Sequence, residues 1–554
     1  MNHRRKIKIC INGRRVLLLS ILCLFGFCLV AQVQPRRNAT QPAKSKVYLL
    51  HADVLKKSKD NPDPNAQILV GDVEFRHDSI YMYCDSACFY EKTNSLEAFN
   101  NVRMMQGDTL ALYGDYLFYD GNTQIAQVRN NVRMENRTTT LTTDSLNYDR
   151  VANLGYFFDG GTLMDEENVL TSDWGEYSPA TKMSVFNYEV KLVNPQFTLT
   201  SDTLRYNTAT KIASSVGPSD IDSDESHIYS ELGFYYTQQG QAELLNHSVL
   251  SNGGKTLTGD SLFYDRNKGV GEAFRNVEFI DAPNKNMLTG NYCHYSQNSG
   301  YAFATDEAMA VDFSQGDSLF IHADTLQMFS FHLDTDSLYR EARAYHKVRF
   351  YRTDVQGVCD SLVFSTKDTC LTMYRDPILW NNQQQLLGEK IMIYMNDSTI
   401  DWAHIENQAL SAERLDSINY NQVTGKEMKA YFKDGEMNKV DVINSVRAVY
   451  YPMERDSSLM GMNVLETGQL SMFLENRKLK RIWMPKANGV MYPMSQIPPE
   501  KRHLENFVWF DYIRPLNKED IFNWRGKGAG QQLKKSTRGA APLPNQKLFD
   551  NNKK

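Results

Sequence analysis

The residues of this chain whose type and spacing could do chemistry are carboxylates that recur along the sequence. Asp115, Asp144, Asp202 and Asp260 each begin the phrase Asp-x-Leu-x-Tyr. Carboxylates in pairs can serve acid-base catalysis or bind a metal ion. A group that is repeated in every unit is more often structural, and several of these aspartates follow Gly or Ser, where the side chain caps a turn. We therefore predict turn caps, with no catalytic residue and no metal site.

Cysteine and histidine give no stronger indication of chemistry. The five cysteines beyond residue 31 are odd in number and scattered, so they are not a disulfide framework. Cys84 and Cys88 would lie roughly 13 Å apart in an extended strand, beyond disulfide reach. We interpret them as half-buried strand residues. Isolated histidines such as His51, His247 and His346 are interpreted as surface or strand residues.

No enzyme signature was found in the sequence. It has no GxSxG, HExxH, phosphate-binding loop or dinucleotide fingerprint. Lys plus Arg number 61 and Asp plus Glu 66, and this balance gives no reason to expect a nucleic-acid partner. We predict that the protein is not an enzyme and needs no cofactor.

The N-terminus has the pattern of a targeting segment. Six basic residues fall within residues 1–15, and residues 16–31 are almost wholly apolar. This pattern is typical of a signal peptide cleaved after Ala31, which predicts export to the periplasm. Without cleavage the same segment would be an N-terminal anchor in the inner membrane. Residues 32–46 are predicted to be a polar linker.

The main feature of the sequence is an internal repeat. The phrase, in strong or weak form, begins at 115, 144, 173, 202, 231 and 260, a step of about 29 residues. A polar turn follows each Tyr, and then an alternating stretch ends in Asn-Val-x-apolar, as at Asn101, Asn131 and Asn276. Period-two alternation bounded by Gly, Asn and Asp predicts strands joined by tight turns. Such units must stack to bury their apolar faces.

Within the phrase, Leu and Tyr are two residues apart and so share one face of a strand. The residues between them vary freely, as an outer face allows. We predict that stacked copies form two facing sheets over an apolar seam. Its predicted lining is Leu117, Tyr119, Leu146, Tyr148, Leu204, Tyr206, Leu262 and Tyr264. A bulge at the Gly-Asp corner could shift which residues of the strand point inward.

The signal segment, the repeat and the order of Gly-Asp-x-Leu, Tyr-Asp and Asn-Val together resemble the LptA/OstA family of lipopolysaccharide carriers. The stretch TLTGDSLFYDRNKGVGEAFRNVEF illustrates this resemblance. It implies an all-β, elongated open β-jellyroll of about a dozen repeats over residues 47–450. It also implies a periplasmic bridge that moves lipopolysaccharide from the inner to the outer membrane, with the acyl chains between two sheets. The implied partners are lipopolysaccharide, LptC-like inner-membrane and LptD-like outer-membrane components joined end to end by strand pairing, and further copies of the chain.

The C-terminal part differs from the array. Residues 451–522 are predicted to be a degenerate repeat or cap, with Leu504 to Pro515 as a cap or docking strand, and 523–554 a disordered basic tail. A β-helix-like surface adhesin or an envelope scaffold without lipid cargo remains the alternative function. A carrier leaves its seam open to lipid, whereas a scaffold fills it.

Overall fold

The computed structural model describes most of the chain between residues 45 and 528. The described ranges are 45–56, 64–223, 226–314, 316–333, 335–396, 399–433, 436–454, 456, 458–475, 478–505 and 507–528. The predicted signal segment, most of the linker and the tail from residue 529 lie outside them. Two compact units are distinguished, one of residues 1–132 with 147–152 and the other of residues 133–146 with 153–554.

The described residues form strands and short 3-10 helices. The first strands are β1 Tyr48–His51, β2 Val54–Lys56, β3 Gln67–His77, β4 Ile80–Tyr90, β5 Ser95–Gln106, β6 Leu110–Asp120, β7 Ile125–Asn136, β8 Thr139–Asp149, β9 Leu154–Phe157, β10 Gly161–Asp165, β11 Asn168–Ser172 and β12 Trp174–Tyr177. The middle strands are β13 Met183–Asn194, β14 Phe197–Asn207, β15 Ile212–Asp222, β16 Ser226–Tyr236, β17 Gln241–Asn252, β18 Lys255–Asp265, β19 Val270–Asp281, β20 Asn286–Ser296, β21 Tyr301–Thr305, β22 Met309–Asp312, β23 Leu319–His322 and β24 Thr325–Phe331.

The remaining strands lead to the C-terminal region. They are β25 Tyr339–Tyr351, β26 Val355–Ser365, β27 Cys370–Tyr374, β28 Ile378–Asn381, β29 Gln384–Leu387, β30 Lys390–Met395, β31 Ile400–Arg414, β32 Tyr420–Lys433, β33 Glu436–Tyr450, β34 Gly461–Glu475, β35 Lys478–Trp483 and β36 Ala487–Pro493. The 3-10 helices are Met494–Gln496, Pro499–Lys501, Asp511–Ile513 and Asp520–Phe522. No helix among the described residues is long and apolar enough to cross a membrane. The prediction of an all-β chain of stacked strands is confirmed.

Long strands pair antiparallel with their neighbours in the chain. In the second unit β13 pairs with β14, β14 with β15, and so on to β20. The strands alternate buried and exposed residues with period two, as in β14, where Leu199, Leu204 and Tyr206 are buried. Each repeat therefore supplies two long strands and two turns.

The pairs of long strands carry a bulge near their middle, and at most of these bulges two consecutive residues have positive φ. Asn130 and Asn131 have φ of 57° and 52°, and Asn is tolerated in this left-handed region. The second Asn also binds the recurring aspartate of the preceding strand, since the amide of Asn131 donates to Asp115 at 2.6 Å. Asn101 and Asn276 donate in the same way to Asp85 and Asp260. The aspartate predicted to cap a turn thus fixes the bulge.

The bulge divides each long strand into two halves, and so the sheet into two half-sheets. The tyrosine half-sheet holds the Leu-x-Tyr part of the phrase, and the opposite half-sheet holds the residues beyond the bulge. The hydroxyl of Tyr206, at the end of the first, donates to Asp165 at the far end of the second, at 2.7 Å. Because opposite ends of the strands meet in this way, the two half-sheets face each other over the core.

After β36 the chain runs back across the outside of the opposite half-sheet. We call residues 494–528 the C-terminal strap. The buried Gln422 and Gln385 each bind its backbone twice: Gln422 contacts Arg502 O and Leu504 N, and Gln385 contacts Val508 O and Phe510 N, at 2.8–2.9 Å. Each buried side-chain amide thus makes two hydrogen bonds to the strap, one to a carbonyl and one to an N–H, as the backbone of a neighbouring strand would do. The strap therefore covers outer-face residues of β26, β28, β29 and β31 such as Val358, Trp380, Leu387 and Leu410.

Candidate functional site

The interior of the second unit contains a row of apolar side chains that passes from strand to strand along the opposite half-sheet. Directly paired residues form its first part, and all of them are buried: Leu141, Leu163, Leu170, Leu192, Leu199 and Ile221. We call these six residues the closed row. Each fully buried side chain of this size contributes about 1.5–3 kcal/mol to folding. The seam is filled by protein atoms here.

The predicted lining residues lie on the inward face of the tyrosine half-sheet, as their spacing required. Six of them have no solvent exposure: Leu117, Tyr119, Leu146, Tyr148, Leu204 and Tyr206. Leu262 is also buried, whereas Tyr264 is half-buried. The intervening Asn147 and Arg205 are half-buried and exposed. The structure thus places the eight residues on the predicted face, and their contact with lipid stays a prediction.

The tyrosine hydroxyls are used in cross-seam hydrogen bonds, which the sequence analysis missed. In the first unit, Nδ1 of the buried His77 lies 2.6 Å from the hydroxyl of Tyr119. The hydroxyl of Tyr148 donates to Oε1 of Gln106 at 3.1 Å. In each pair the tyrosine lies at the outer end of one half-sheet and its partner lies at the outer end of the other. We call these outer ends the rims. These pairs hold the two half-sheets together at their rims.

Two further pairs of the same kind lie in the second unit. The amide of Asn136 donates to the hydroxyl of Tyr177 at 3.1 Å. Tyr206 donates to the fully buried Asp165, which also accepts from Lys211 at 2.7 Å. We call these four tyrosine pairs the polar rungs. Because an unpaired buried carboxylate is costly, the Asp165 cluster is stable only while the seam stays closed.

The polar rungs end at the next tyrosine of the series. The hydroxyl of Tyr235 turns inward and lies 3.3 Å from Oγ of Ser219, in space left free because Gly233 has no Cβ. Asn194, which occupies the rim position opposite, instead donates to Asn168 at 2.9 Å. No hydrogen bond of Tyr235 therefore joins the rims at this point.

Beyond this point the same apolar row becomes solvent-accessible. Its next seven members are all half-buried: Ile228, Leu250, Leu257, Phe279, Leu288, Ala310 and Ile321. We call these residues the open row. Further on, Phe350 and Leu379 are buried again, at 6% and 8% exposure. The seam is therefore accessible over residues 226–331 and filled on both sides of this section within the second unit.

One row of the facing tyrosine half-sheet is also solvent-accessible over the same section. Its row continues from Tyr264 to Tyr295, which is 51% exposed, and to Met328, which is 41% exposed. The residues paired between them are small, namely Gly271 and Ala302. Large and small side chains in alternation leave gaps that an adaptable apolar chain can fill. The accessible section suits hydrocarbon better than a polar ligand.

Burial also governs the titratable groups that line the seam. It raises the pKa of Tyr119 and of Tyr148 to about 12, and that of Cys293 to about 11. It lowers the pKa of His77, because burial disfavours the charged imidazole. Within the described ranges no group of His, Cys, Asp and Glu residues could hold a metal ion. The arrangement offers apolar surface and hydrogen bonds rather than a reactive group.

Comparison with protein-family models agrees with the resemblance seen in the repeats. Residues 44–202 and 219–309 match the family model described as OstA-like protein. Over those residues, which make up somewhat less than half of the chain, the protein is similar to the OstA-like family. The family resemblance predicted from the repeats is thereby confirmed, and the match includes three of the four polar rungs, Asp165 of the fourth, and most of the open row. At the level of the family it indicates a role in lipopolysaccharide transport in the periplasm rather than catalysis.

Solved structures and curated proteins add two findings. Part of the chain is similar to the crystal structure of LptH, the LptA homologous periplasmic component of the conserved lipopolysaccharide transport device from Pseudomonas aeruginosa. The TM-score is 0.20 at 16% identity, and the similarity covers 22% of this chain and 100% of LptH. No curated protein matches.

Proposed function

We propose that this protein is a periplasmic carrier that holds the acyl chains of lipopolysaccharide between its two half-sheets. The open row is the main observation behind the proposal. It contains seven apolar residues that lie side by side on paired strands, and each of them is partly exposed to solvent. Each CH₂ group taken out of water there contributes about 0.8 kcal/mol. A single acyl chain that contacts several residues of the open row would thus be bound stably.

The polar rungs divide the proposed path of the lipid into a section that hydrogen bonds close and a section that is accessible to solvent. Lipid rests in the accessible section at residues 226–331, where no rung of this kind closes the rim. Passage toward Leu204 and Tyr206 would require the rung between Tyr206 and Asp165 to break, since both side chains are buried. The six predicted residues from Leu117 to Tyr206 thus line a part of the seam that lipid enters only when the half-sheets separate, whereas Leu262 and Tyr264 lie in the accessible section.

The bridging role is the finer part of this proposal. Exposed edge strands support it: Tyr48 and Leu55 in β1 and β2 are about three-fifths exposed, and Val490 in β36 is 54% exposed. Unpaired strand edges can add a strand from another chain. LptC-like and LptD-like components, or a second copy, would join there.

The test uses the purified protein and lipopolysaccharide. Leu257→Asp and Phe279→Asp place a charge in the open row, and we expect each to abolish co-elution of lipopolysaccharide with the protein. Thr258→Asp is the matched control, since this neighbouring residue of β18 lies on the outer face. Equal lipid content in all four proteins would reject the carrier.

An envelope scaffold remains the second candidate because of the closed row. Its six residues fill the seam with protein atoms, as a structural array requires. A scaffold predicts that the open row also binds no lipid. The Leu257→Asp comparison therefore separates the two functions.

A further inference from the structure

The repeat that contains Tyr235 departs from others at the position of its leucine. In this weak copy of the phrase, Gly233 occupies the place that Leu204 and Leu262 have in their repeats. Strand pairing confirms the equivalence, since Gly233 lies in the same inward-facing row as both leucines. The seam therefore lacks a large side chain from the phrase at this point.

The side chain of Tyr235 fills the space that the glycine leaves. A methyl group at position 233 would lie 2.5 Å from Cζ of Tyr235, far inside the contact distance of about 3.5 Å between carbon atoms. The hydroxyl and Cε2 of the same ring are the other two atoms nearest to that space. The buried ring of Tyr235 thus occupies the interior of the seam.

Polar groups inside the seam hold this inward position. Oγ of Ser219 lies 3.3 Å from the Tyr235 hydroxyl and 3.1 Å from Oγ of Ser215. Both serines are fully buried. The residue after the bulge is a valine in other long strands, such as Val190 and Val277, so Ser219 is a local exception that supplies a hydrogen-bond partner.

A glycine at this place in the repeat does not by itself turn the tyrosine inward. Gly175 has the same place in its own repeat, and a methyl group there would lie 2.5 Å from Cζ of Phe157. The ring of Phe157 fills that space, and Tyr177 keeps its polar rung with Asn136. The inward turn of Tyr235 therefore depends on its serine partners as well as on free space.

A second hydrogen-bond partner for Tyr235 lies at the rim. In the four polar rungs the partner precedes its tyrosine by 41 or 42 residues. Asn194 precedes Tyr235 by 41 residues and ends β13. The amide of Asn194 donates to Asn168, but an amide has two N–H hydrogens, so it can keep this bond and also donate to a tyrosine hydroxyl, as Asn136 does.

We propose that Tyr235 is a gate with two positions at the end of the accessible section. In the inward position its ring fills the seam beside Gly233 and stops an acyl chain there. In the outward position its hydroxyl joins Asn194 as a fifth rung, and the vacated space lets the chain extend toward Leu204. Each position offers the hydroxyl a neutral hydrogen-bond partner, so this bond favours neither strongly. The transport role of the gate rests on the proposed carrier function, whereas the two positions do not.

Fluorine NMR tests the two positions without lipid. The exported, purified protein carries 3-fluorotyrosine at position 235 only. Gly233→Ala fills the inward space, and Ser219→Val removes the inward partner and restores the valine of other repeats. Each should move the fluorine resonance, and a further Asn194→Ala should move it again, because the outward hydroxyl then loses its partner. In the otherwise unchanged protein, Asn194→Ala should leave the resonance where it is.

Gly175→Ala is the matched control for the added methyl group, since Phe157 and not a rung tyrosine fills the space there. It should leave the resonance of residue 235 unchanged. An equal response to Asn194→Ala with and without Gly233→Ala or Ser219→Val, or no response in any of these proteins, would overturn the two positions.

In-cell photo-crosslinking tests the transport role of the gate. A photoreactive amino acid replaces Ile228 in the accessible section or Leu204 beyond the gate. Gly233→Ala should raise lipopolysaccharide adducts at Leu204 by about tenfold or more, since a minor position populated to at most about 10% becomes the main one. Adducts at Ile228 should not change, and Gly175→Ala should alter neither.

The two possible failures have different results. Absence of adducts at Ile228 in every protein would reject the carrier function on which the gate rests. Adducts at Ile228 together with unchanged adducts at Leu204, in both Gly233→Ala and Ser219→Val, would overturn the gate alone.

Discussion

The hydroxyl of Tyr119 and Nδ1 of His77 lie 2.6 Å apart, although the two residues end opposite half-sheets. The tyrosine of this repeat thus joins the two half-sheets by a hydrogen bond and also fills apolar space between them. The same arrangement recurs at Tyr148 and Gln106. Where the hydroxyl of Tyr235 turns inward instead, the open row begins.

The His77 rung predicts a dependence of stability on pH. Burial lowers the pKa of this histidine in the folded state, so the unfolded chain binds more protons once the pH falls below about 6.5. Stability from this rung is therefore complete above the unfolded pKa and is lost as the pH falls from there toward the folded pKa. The charged groups beside the imidazole are Asp78 and Arg150, whose effects oppose each other.

Hydrogen exchange of β3 and β6 at pH 7.5 and pH 5.5 measures this effect. After correction for the intrinsic pH dependence of exchange, we expect lower protection around His77 at the lower pH in the wild type, and a smaller change in His77→Gln. His51→Gln is the control, because His51 is exposed. A pH response that is the same in all three proteins would contradict the role of His77.

Removal of the Tyr206 hydroxyl should loosen the seam of the second unit. Tyr206→Phe takes one hydrogen bond from the buried Asp165 and leaves Lys211 as its main partner. A hydrogen bond to a charged group contributes about 1.5–3 kcal/mol, so the free energy of local opening should fall by that amount. Hydrogen exchange at Asn168 reports it. Tyr264→Phe, at the half-buried position of the same series, should change little, and equal effects of the two variants would count against the rungs.

Truncation should cost more in the closed row than in the open row. Leu170 is fully buried, so Leu170→Ala leaves a cavity and should destabilise the second unit by about 2–5 kcal/mol. Leu257 is half-buried and solvent can reach the space that Leu257→Ala leaves, so the loss should be less than half as large. Urea unfolding followed by tyrosine and tryptophan fluorescence measures both. Equal losses would mean that the two rows are packed alike.

The strap should depend on its glutamine contacts. Gln385→Ala leaves Val508 O and Phe510 N without their partner, and we expect residues 507–514 to become sensitive to limited proteolysis. Gln383→Ala is the matched control, because that side chain is exposed in the adjacent turn. Unchanged cleavage in Gln385→Ala would show that apolar packing alone holds the strap.

The strands, and the face of each strand on which a residue lies, were predictable because both depend on the local sequence pattern. Leu204 and Tyr206 are two residues apart, and this spacing alone put them on one face of a strand. The recurring aspartate was assigned to a turn, whereas Asp115 binds Asn131 at a bulge. Both positions were part of the repeat, but their contact depends on the register between strands, which spacing within one strand does not reveal.

The accessible section could not be located from the sequence. Leu199 and Leu257 have the same side chain and equivalent places in the repeat, and yet one is buried and the other half-buried. The burial of such residues depends on tertiary contacts such as that of Tyr206 with Asp165, which spacing along the chain does not reveal. Regular spacing of His77, Gln106, Asn136 and Asp165 was a usable signal for the rungs, since these residues recur at steps of about 29.

In-cell photo-crosslinking tests the central claim, that lipid lies against the open row, most directly. A photoreactive amino acid would replace Leu250, Leu257 or Phe279 of the open row, Leu170 or Leu199 of the closed row, and the outward Thr258. The account predicts lipopolysaccharide adducts at the three open-row positions, few at the closed row and none at Thr258. Adducts confined to Thr258, or no adduct at any position in a folded and exported protein, would contradict it.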